Sequence, residues 1–419
     1  MFRAVASLAL PPADAGCARP LPRVRFRSIA HALLAGSLAL GACEDFTDLV
    51  GRSDSAVQPP ASVQWNAVTD TVISRTRPFT PQASQRVFAY VSLAQYAAAT
   101  SVAAQRTNAN RPAQRAAVAA ASATVLAALF PQQGAYLDSL LHAMARGAFG
   151  IGAEPGADFA AGEAIGRDVG ARTVALAGSD HFNATWTGTV PVGPGYWFST
   201  ANPPAPPLLP LLGQMRPFAL TSGSQFRPAP PLAFGSVAFE TDLEEVRHIA
   251  DTRTASQDSL ARFWAMNTGA FPPGFWNSVM AGLILQRRMS ERDAARALAV
   301  MNAAGMDALI ASHEAKFTYW TIRPSQADPA IRLAIPLPNF PSYPSNHATL
   351  SSACATVIAA LFPEQSDSVQ RMARDAAISR IDAGIHYRFD ANAGLELGRK
   401  VAEQALAADT AGRLLAPLR

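Results

Sequence analysis

Phe340-Pro-Ser-Tyr-Pro344-Ser345-Asn346-His347 runs directly into Ala348-Thr-Leu-Ser-Ser-Ala-Cys-Ala-Thr-Val-Ile-Ala-Ala-Leu-Phe362. A polar, Pro-broken entry followed by a long uncharged apolar run predicts a buried helix that starts at Ser345. The unpaired amides of its first turn, together with the positive end of the helix dipole, suit an anion. Ser345 can donate its hydroxyl and His347 can exchange a proton. The plain alternative is an N-cap, which needs Ser345 but no histidine.

Upstream, Lys316-Phe-Thr-Tyr-Trp-Thr-Ile-Arg323-Pro324 separates two cations by seven residues. On a helix this spacing is about 20° short of two turns and roughly 10 Å of rise, so both side chains share a face, with Pro324 ending the helix at Arg323. Such a pair is also ordinary on a solvated face. Of the 35 basic residues, however, only Lys316 and Lys400 are lysine, and Lys316 stands among aromatics. Downstream comes Ser379-Arg380-Ile-Asp-Ala-Gly384-Ile-His386-Tyr-Arg-Phe-Asp390. Gly384 permits a turn, after which His386 and Asp390, at i and i+4, meet on one helical face. A carboxylate on one imidazole nitrogen fixes the tautomer and leaves the other nitrogen as a nucleophile or metal ligand.

Outward from these clusters the chain reads as all-α. With 419 residues, 49% of them hydrophobic and 16% charged, it can build a large core, which excludes a disordered, coiled-coil or collagen-like chain. Apolar periodicity predicts helices over 81–105, 111–129, 134–148, 158–178, 238–250, 254–267 and 273–288. Ser290 with Asp293 caps a further helix running past Met306. Residues 186–231 are Pro-rich, aromatic and irregular, which predicts an excursion packed over the body as a pocket rim rather than an interdomain linker. There are few alternating strand patterns and no solenoid repeat. Cys354 lies within an apolar run and reads as a core residue.

The front of the chain reads as an address. Arg23-Val-Arg-Phe-Arg27, an apolar run over 29–40 and Gly41-Ala42-Cys43 have the three zones of a secretion signal, too short to span a bilayer. Leu40-Gly-Ala-Cys43 resembles a bacterial lipobox, with simple cleavage nearby as the alternative. The expected division is a signal peptide over 1–42, a tether over 43–79 lipidated at Cys43, and a single helical domain over 80–419. That implies export to the bacterial cell envelope and a lipid-anchored, periplasm-facing protein. Removing the residues before Cys43 leaves 30 basic and 30 acidic residues, so charge gives no support to nucleic-acid binding.

Taken in order, Lys-six residues-Arg-Pro, Pro-Ser-x-His and Ser-Arg-five residues-His-three residues-Asp resemble the three-part signature of a superfamily. Its members are type 2 phosphatidic acid phosphatases, bacterial acid phosphatases and vanadium-dependent haloperoxidases. The resemblance implies a helical bundle of the haloperoxidase/acid phosphatase type. It implies that Lys316, Arg323, Arg380, Ser345 and the Asn346 amide hold vanadate or phosphate. His347 would then be the acid/base, and His386 the axial vanadium ligand or phosphate-attacking nucleophile, oriented by Asp390. Two positions depart from the pattern: Asn346 replaces the usual Gly, and His313 stands where the fungal chloroperoxidase carries Trp. Phe340 keeps the aromatic found in the family, so His313 and Phe340 are the halide-pocket candidates. The wording around His386 favours a haloperoxidase that uses vanadate, hydrogen peroxide and halide. The alternatives are an acid phosphatase that needs no cofactor and acts on phosphate esters through phospho-His386, and an oxyanion-binding lipoprotein without turnover.

Overall fold

The computed structural model describes residues 58–76, 79–105, 113–146, 156–266 and 270–418. The expected signal peptide, Cys43 and the first part of the expected tether lie outside the described residues. Within them thirteen α-helices follow in order: α1 Ala61–Arg75, α2 Pro81–Gln105, α3 Gln114–Leu129, α4 Gly134–Ala145, α5 Gly156–Gly178, α6 Val237–Thr252, α7 Ala255–Phe263, α8 Pro273–Gln286, α9 Glu291–Tyr319, α10 Pro324–Ala327, α11 Asn346–Leu361, α12 Ser366–Asp382 and α13 Arg388–Thr410. No β-strand occurs among the described residues, only an isolated bridge between Tyr196 and Thr321. The chain is all-α, as its periodicity predicts.

One expectation fails at the N-terminus. Residues 61–75, read as part of a tether, form α1 and bury Trp65, Val72 and Ile73 in the main core. Val63, Trp65, Val68, Val72 and Ile73 are enough apolar surface to dock a helix, although polar residues between them dilute the pattern. Glu291 holds the start of α1 through the amides of Ala61 and Ser62, at 2.5 and 2.9 Å.

Helix α9 is the axis, and α2 lies along it. Both are long and apolar enough to cross a membrane by composition, yet both are core helices; the apolar window of α9 is 94% buried. On one side α2, α3, α4 and α5 form a bundle; on the other α11 and α13 pack against α9, with α12 against α11 and α13. These two halves repeat each other. Residues 123–133, ATVLAALFPQQ, recur as 355–365, ATVIAALFPEQ, identical at nine of eleven positions with a shift of 232. The same shift superposes α3 on α11 and α5 on α13, end for end. Phe130 and Phe362, which end the paired helices, have φ/ψ of −133°/72° and −134°/74°.

Close backbone approach repeats as well. A Cβ at Gly166 would meet the Ala117 carbonyl oxygen at 2.2 Å, and one at Gly398 would meet that of Thr349 at 2.2 Å, so only glycine lets each helix pair settle. The Ala113 amide donates to the Asp158 carbonyl at 2.8 Å, as Ser345 does to Asp390 at 3.0 Å. The first copy therefore carries Ala113, Gln114, Arg115 and Asp158 where the second has Ser345, Asn346, His347 and Asp390. Only the second retains the serine and the histidine.

The Pro-rich excursion packs over α9, as its aromatic content predicts. Asp307, fully buried in α9, accepts the amides of Phe218, Ala219 and Leu220 at 2.7, 2.7 and 3.0 Å. The Trp197 amide donates to the Trp320 carbonyl at 2.7 Å, and the Ile322 amide to Gly195 at 2.9 Å. Asp307→Ala would strip three backbone donors of their acceptor, at a cost of about 3 kcal/mol. Limited proteolysis should then cut between residues 186 and 231 before any other part of the body; an unchanged cleavage pattern would contradict this anchoring.

Candidate active site

The end of α9 sets the first part of the site. Trp320 adopts a left-handed conformation (φ 52°) and its amide donates to the Lys316 carbonyl, so the helix stops at Tyr319. Arg323 follows in extended backbone (φ −84°, ψ 154°), the conformation a following proline favours. Lys316 and Arg323 therefore do not share a helical face; they meet because the chain turns back. Phe340 lies beneath both, with Lys316 Nζ and the Arg323 guanidinium carbon each 5.1 Å from its ring centroid.

His386 and Asp390 also meet by a different route from the one their spacing suggests. Gly384 turns at φ 81°, and α13 begins only at Arg388, so His386 precedes the helix and Asp390 is its third residue. His386 Nδ1 donates to Asp390 Oδ2 at 2.7 Å, and the Tyr387 amide donates to the same oxygen at 3.2 Å. With its proton on Nδ1, the imidazole turns the lone pair of Nε2 toward Arg323 Nη1, at 3.0 Å. A third donor to Asp390 Oδ2 is Ser342 Oγ at 2.5 Å, while Asp390 Oδ1 is buried without a partner. Ser342 was legible only as a spacer between prolines.

Lys316 spends all three ammonium hydrogens on the loop before α11, donating to the carbonyls of Pro341, Ser342 and Pro344 at 2.9, 2.7 and 2.6 Å. Arg323 donates through Nε to the Phe340 carbonyl at 3.0 Å and through Nη1 to the Ile385 carbonyl at 2.7 Å. Its Nη2 is buried with no partner. Arg380 is held by Ser379 Oγ at 3.0 Å and by the Ala261 carbonyl at 2.6 Å. Ser345 caps α11, its Oγ accepting the Ala348 amide at 3.4 Å, which leaves the hydroxyl proton free for another acceptor. His347 Nε2 donates to the Trp264 carbonyl at 2.8 Å, so its Nδ1 carries the lone pair.

Burial dominates the electrostatics. His386 is held well below the ordinary imidazole range by burial first, then by Arg323, Lys316, His347 and Arg380, so these groups converge on one ring. His347 is pushed down to about 3 by burial and by Arg380. Arg323 and Arg380 fall to about 10 and about 9 through burial. Burial raises Asp390, with Ser342 the first opposing influence. Too many positive groups and too little solvent face one another here, and an anion would relieve both.

His313 lies beside this cage, stacked on Phe317 and 5.6 Å from the Phe340 ring. Burial, then Lys316, pushes it down to about 3 from an ordinary 6.5. The folded state rejects a proton that the unfolded chain takes up near 6.5. Stability from this residue is therefore full above pH 6.5 and lost as the pH falls toward 3, by about 2 kcal/mol between pH 6.5 and 5. Urea midpoints measured across that range should decline less steeply in His313→Leu than in the native chain, and parallel curves would contradict the assignment.

The residues suit an oxyanion such as vanadate. The orphaned Arg323 Nη2, the His386 lone pair, Arg380, the Ser345 hydroxyl and the first-turn amides of α11 offer donors and one imidazole nitrogen, all in one buried region. An all-helical scaffold carrying this constellation has the fold of the helical haloperoxidases. Residues 363–412 match the family model for the VCPO second helical-bundle domain. Among solved structures the chain is similar to a bacterial vanadium-dependent iodoperoxidase (20% identity, TM-score 0.71, covering 85% of this chain and 98% of that one). It is also similar to a bacterial vanadium-dependent chloroperoxidase in holo form (17%, 0.67, 87% and 100%) and in apo form (16%, 0.65, 81% and 95%). No curated protein matches the chain by sequence.

Proposed function

We propose that this protein is a vanadate-dependent haloperoxidase-like enzyme that oxidises halide with hydrogen peroxide. The observation that carries the reading is the buried His386 Nε2 facing Arg323 Nη1 at 3.0 Å, on a guanidinium whose other terminal nitrogen, Nη2, is buried with no partner, backed by the likeness to chloro- and iodoperoxidases. Arg323, Arg380, Ser345 and the Asn346 amide would hold vanadate, with His386 Nε2 as the ligand nitrogen. Bound vanadate supplies Lewis-acid activation of peroxide toward halide.

The protein's own groups do the rest. Asp390 holds the Nδ1 proton and so keeps Nε2 free. The guanidiniums fix a polyanion in a water-poor site without reorganisation. His347 presents Nδ1 as a base. An anion seated near Arg380 offsets the charge that depresses His347 and makes that nitrogen a better proton acceptor.

The test uses purified protein with and without orthovanadate, assayed for peroxide-driven bromination of a phenolic dye and for phosphate-ester hydrolysis. Vanadate-dependent bromination is the expected result. Hydrolysis that vanadate inhibits would replace this reading with that of an acid phosphatase working through phospho-His386, and anion binding with neither activity would leave a binding protein. We propose in addition that the mature chain is exported and lipid-anchored at Cys43 in the bacterial envelope. Incorporation of labelled fatty acid, lost in Cys43→Ser, is expected; labelling that survives the substitution would contradict it.

A further inference from the structure

His313 and Asn346, the two departures from the superfamily pattern, touch each other. Ser312 Oγ donates to Asn346 Oδ1 at 2.5 Å, which orients the amide so that Asn346 Nδ2 faces His313 Nε2 at 3.2 Å. Gln82 Nε2, reaching across from α2, faces the same imidazole nitrogen at 3.2 Å. The exposures of Ser312, His313, Gln82 and Asn346 are 0, 0, 4 and 8%. His313 Nε2 faces both amide nitrogens, which places its proton on Nδ1.

Two consequences follow from that geometry. His313 Nε2 is sealed by amides and has no lone pair left for substrate. And Asn346, the first residue of α11, is tied through its side chain to Ser312 and His313 on α9, and through His313 to Gln82 on α2, while its backbone N–H belongs to the turn that has no intrahelical acceptor. A glycine at 346 would leave Ser312 Oγ and one of the two donor positions on His313 Nε2 unfilled. Asn346 and His313 are thus a matched pair, and Gln82 closes it from the other half of the molecule.

We infer that Gln82 and Ser312 are positioning residues for oxyanion binding, acting through the Asn346 side chain to hold the Asn346 backbone amide in place. This rests on the reading of the cage as an oxyanion site. Gln82→Met keeps length and removes the amide; Ser312→Ala removes the hydroxyl on the opposite side of Asn346. Each is made in the native chain and in an Asn346→Gly background, and orthovanadate and inorganic phosphate affinities are measured by titration calorimetry on the full chain.

Either substitution should weaken both anions about tenfold in the native background, the equivalent of about 1.4 kcal/mol. In the Asn346→Gly background, where the lever is gone, it should change them less than twofold. The orthovanadate concentration that gives half-maximal bromination should rise while the rate at saturating vanadate stays within twofold. Native-background affinities unchanged by both substitutions, or equal losses in both backgrounds, would overturn the inference and leave the oxyanion reading intact. An unsubstituted protein that binds neither anion would overturn both. Should one variant fail to fold, the other decides by the same criteria.

Discussion

Replacing His386 by Ala should lower turnover by on the order of a thousandfold or more, because it removes the group with its lone pair turned into the cage. Asp390→Asn should come close to that loss. An amide that donates to Nδ1 forces the proton onto Nε2, and the wrong tautomer of a catalytic imidazole costs about 10⁴-fold where it has been isolated. The pair separates chemistry from folding, since Asn preserves the volume of Asp390 and the Ser342 hydroxyl can turn to accept from the amide nitrogen that takes the place of Oδ2. Steady-state rates with both variants decide it. Undiminished turnover in His386→Ala would remove the central residue of the proposal. Lys400→Ala is the control: this lysine lies on the surface, 3.3 Å from Glu396, and should leave the rate unchanged.

Lys316→Met should have the largest effect on stability. Its ammonium is fully buried and donates to three carbonyls of the loop that presents Ser342 and Ser345. Methionine fills the space and leaves the carbonyls of Pro341, Ser342 and Pro344 without donors, a loss of about 3–5 kcal/mol. Equilibrium urea unfolding would show it as a lower midpoint at unchanged slope, and a change under 1 kcal/mol would contradict the clamp. The resemblance to the superfamily implies an oxygen-binding role for Lys316. In the structure its hydrogens are taken by the loop, so it acts on the cage through charge and through the placement of Ser342.

The three clusters were legible because their chemistry is unusual in this sequence: a rare lysine, a serine and histidine at the mouth of an apolar helix, and a histidine four residues before an aspartate. How they meet was not. The helical spacing of Lys316 and Arg323 promised a shared face, yet the left-handed Trp320 ends the helix between them. His386 and Asp390 promised a helical turn but meet across a helix start. In both places a single residue's backbone overrides a periodicity argument. Gln82 carried no signal beyond being polar in an apolar helix, and Ser342 sat between prolines as apparent filler; their partners lie 231 and 48 residues away. Helix α1 was hidden by dilution, since its apolar positions are interspersed with Asn, Thr and Asp.

The constant shift of 232 residues also bears on descent. Helices that coincide end for end, closing on the same Phe-Pro pair and the same glycine contacts, point to fusion of two like half-length chains. The first copy carries Ala113 and Arg115 where the second has Ser345 and His347, so one half supplies the reactive groups and the other their support. Gln82 reaches from that supporting half to His313 in the other.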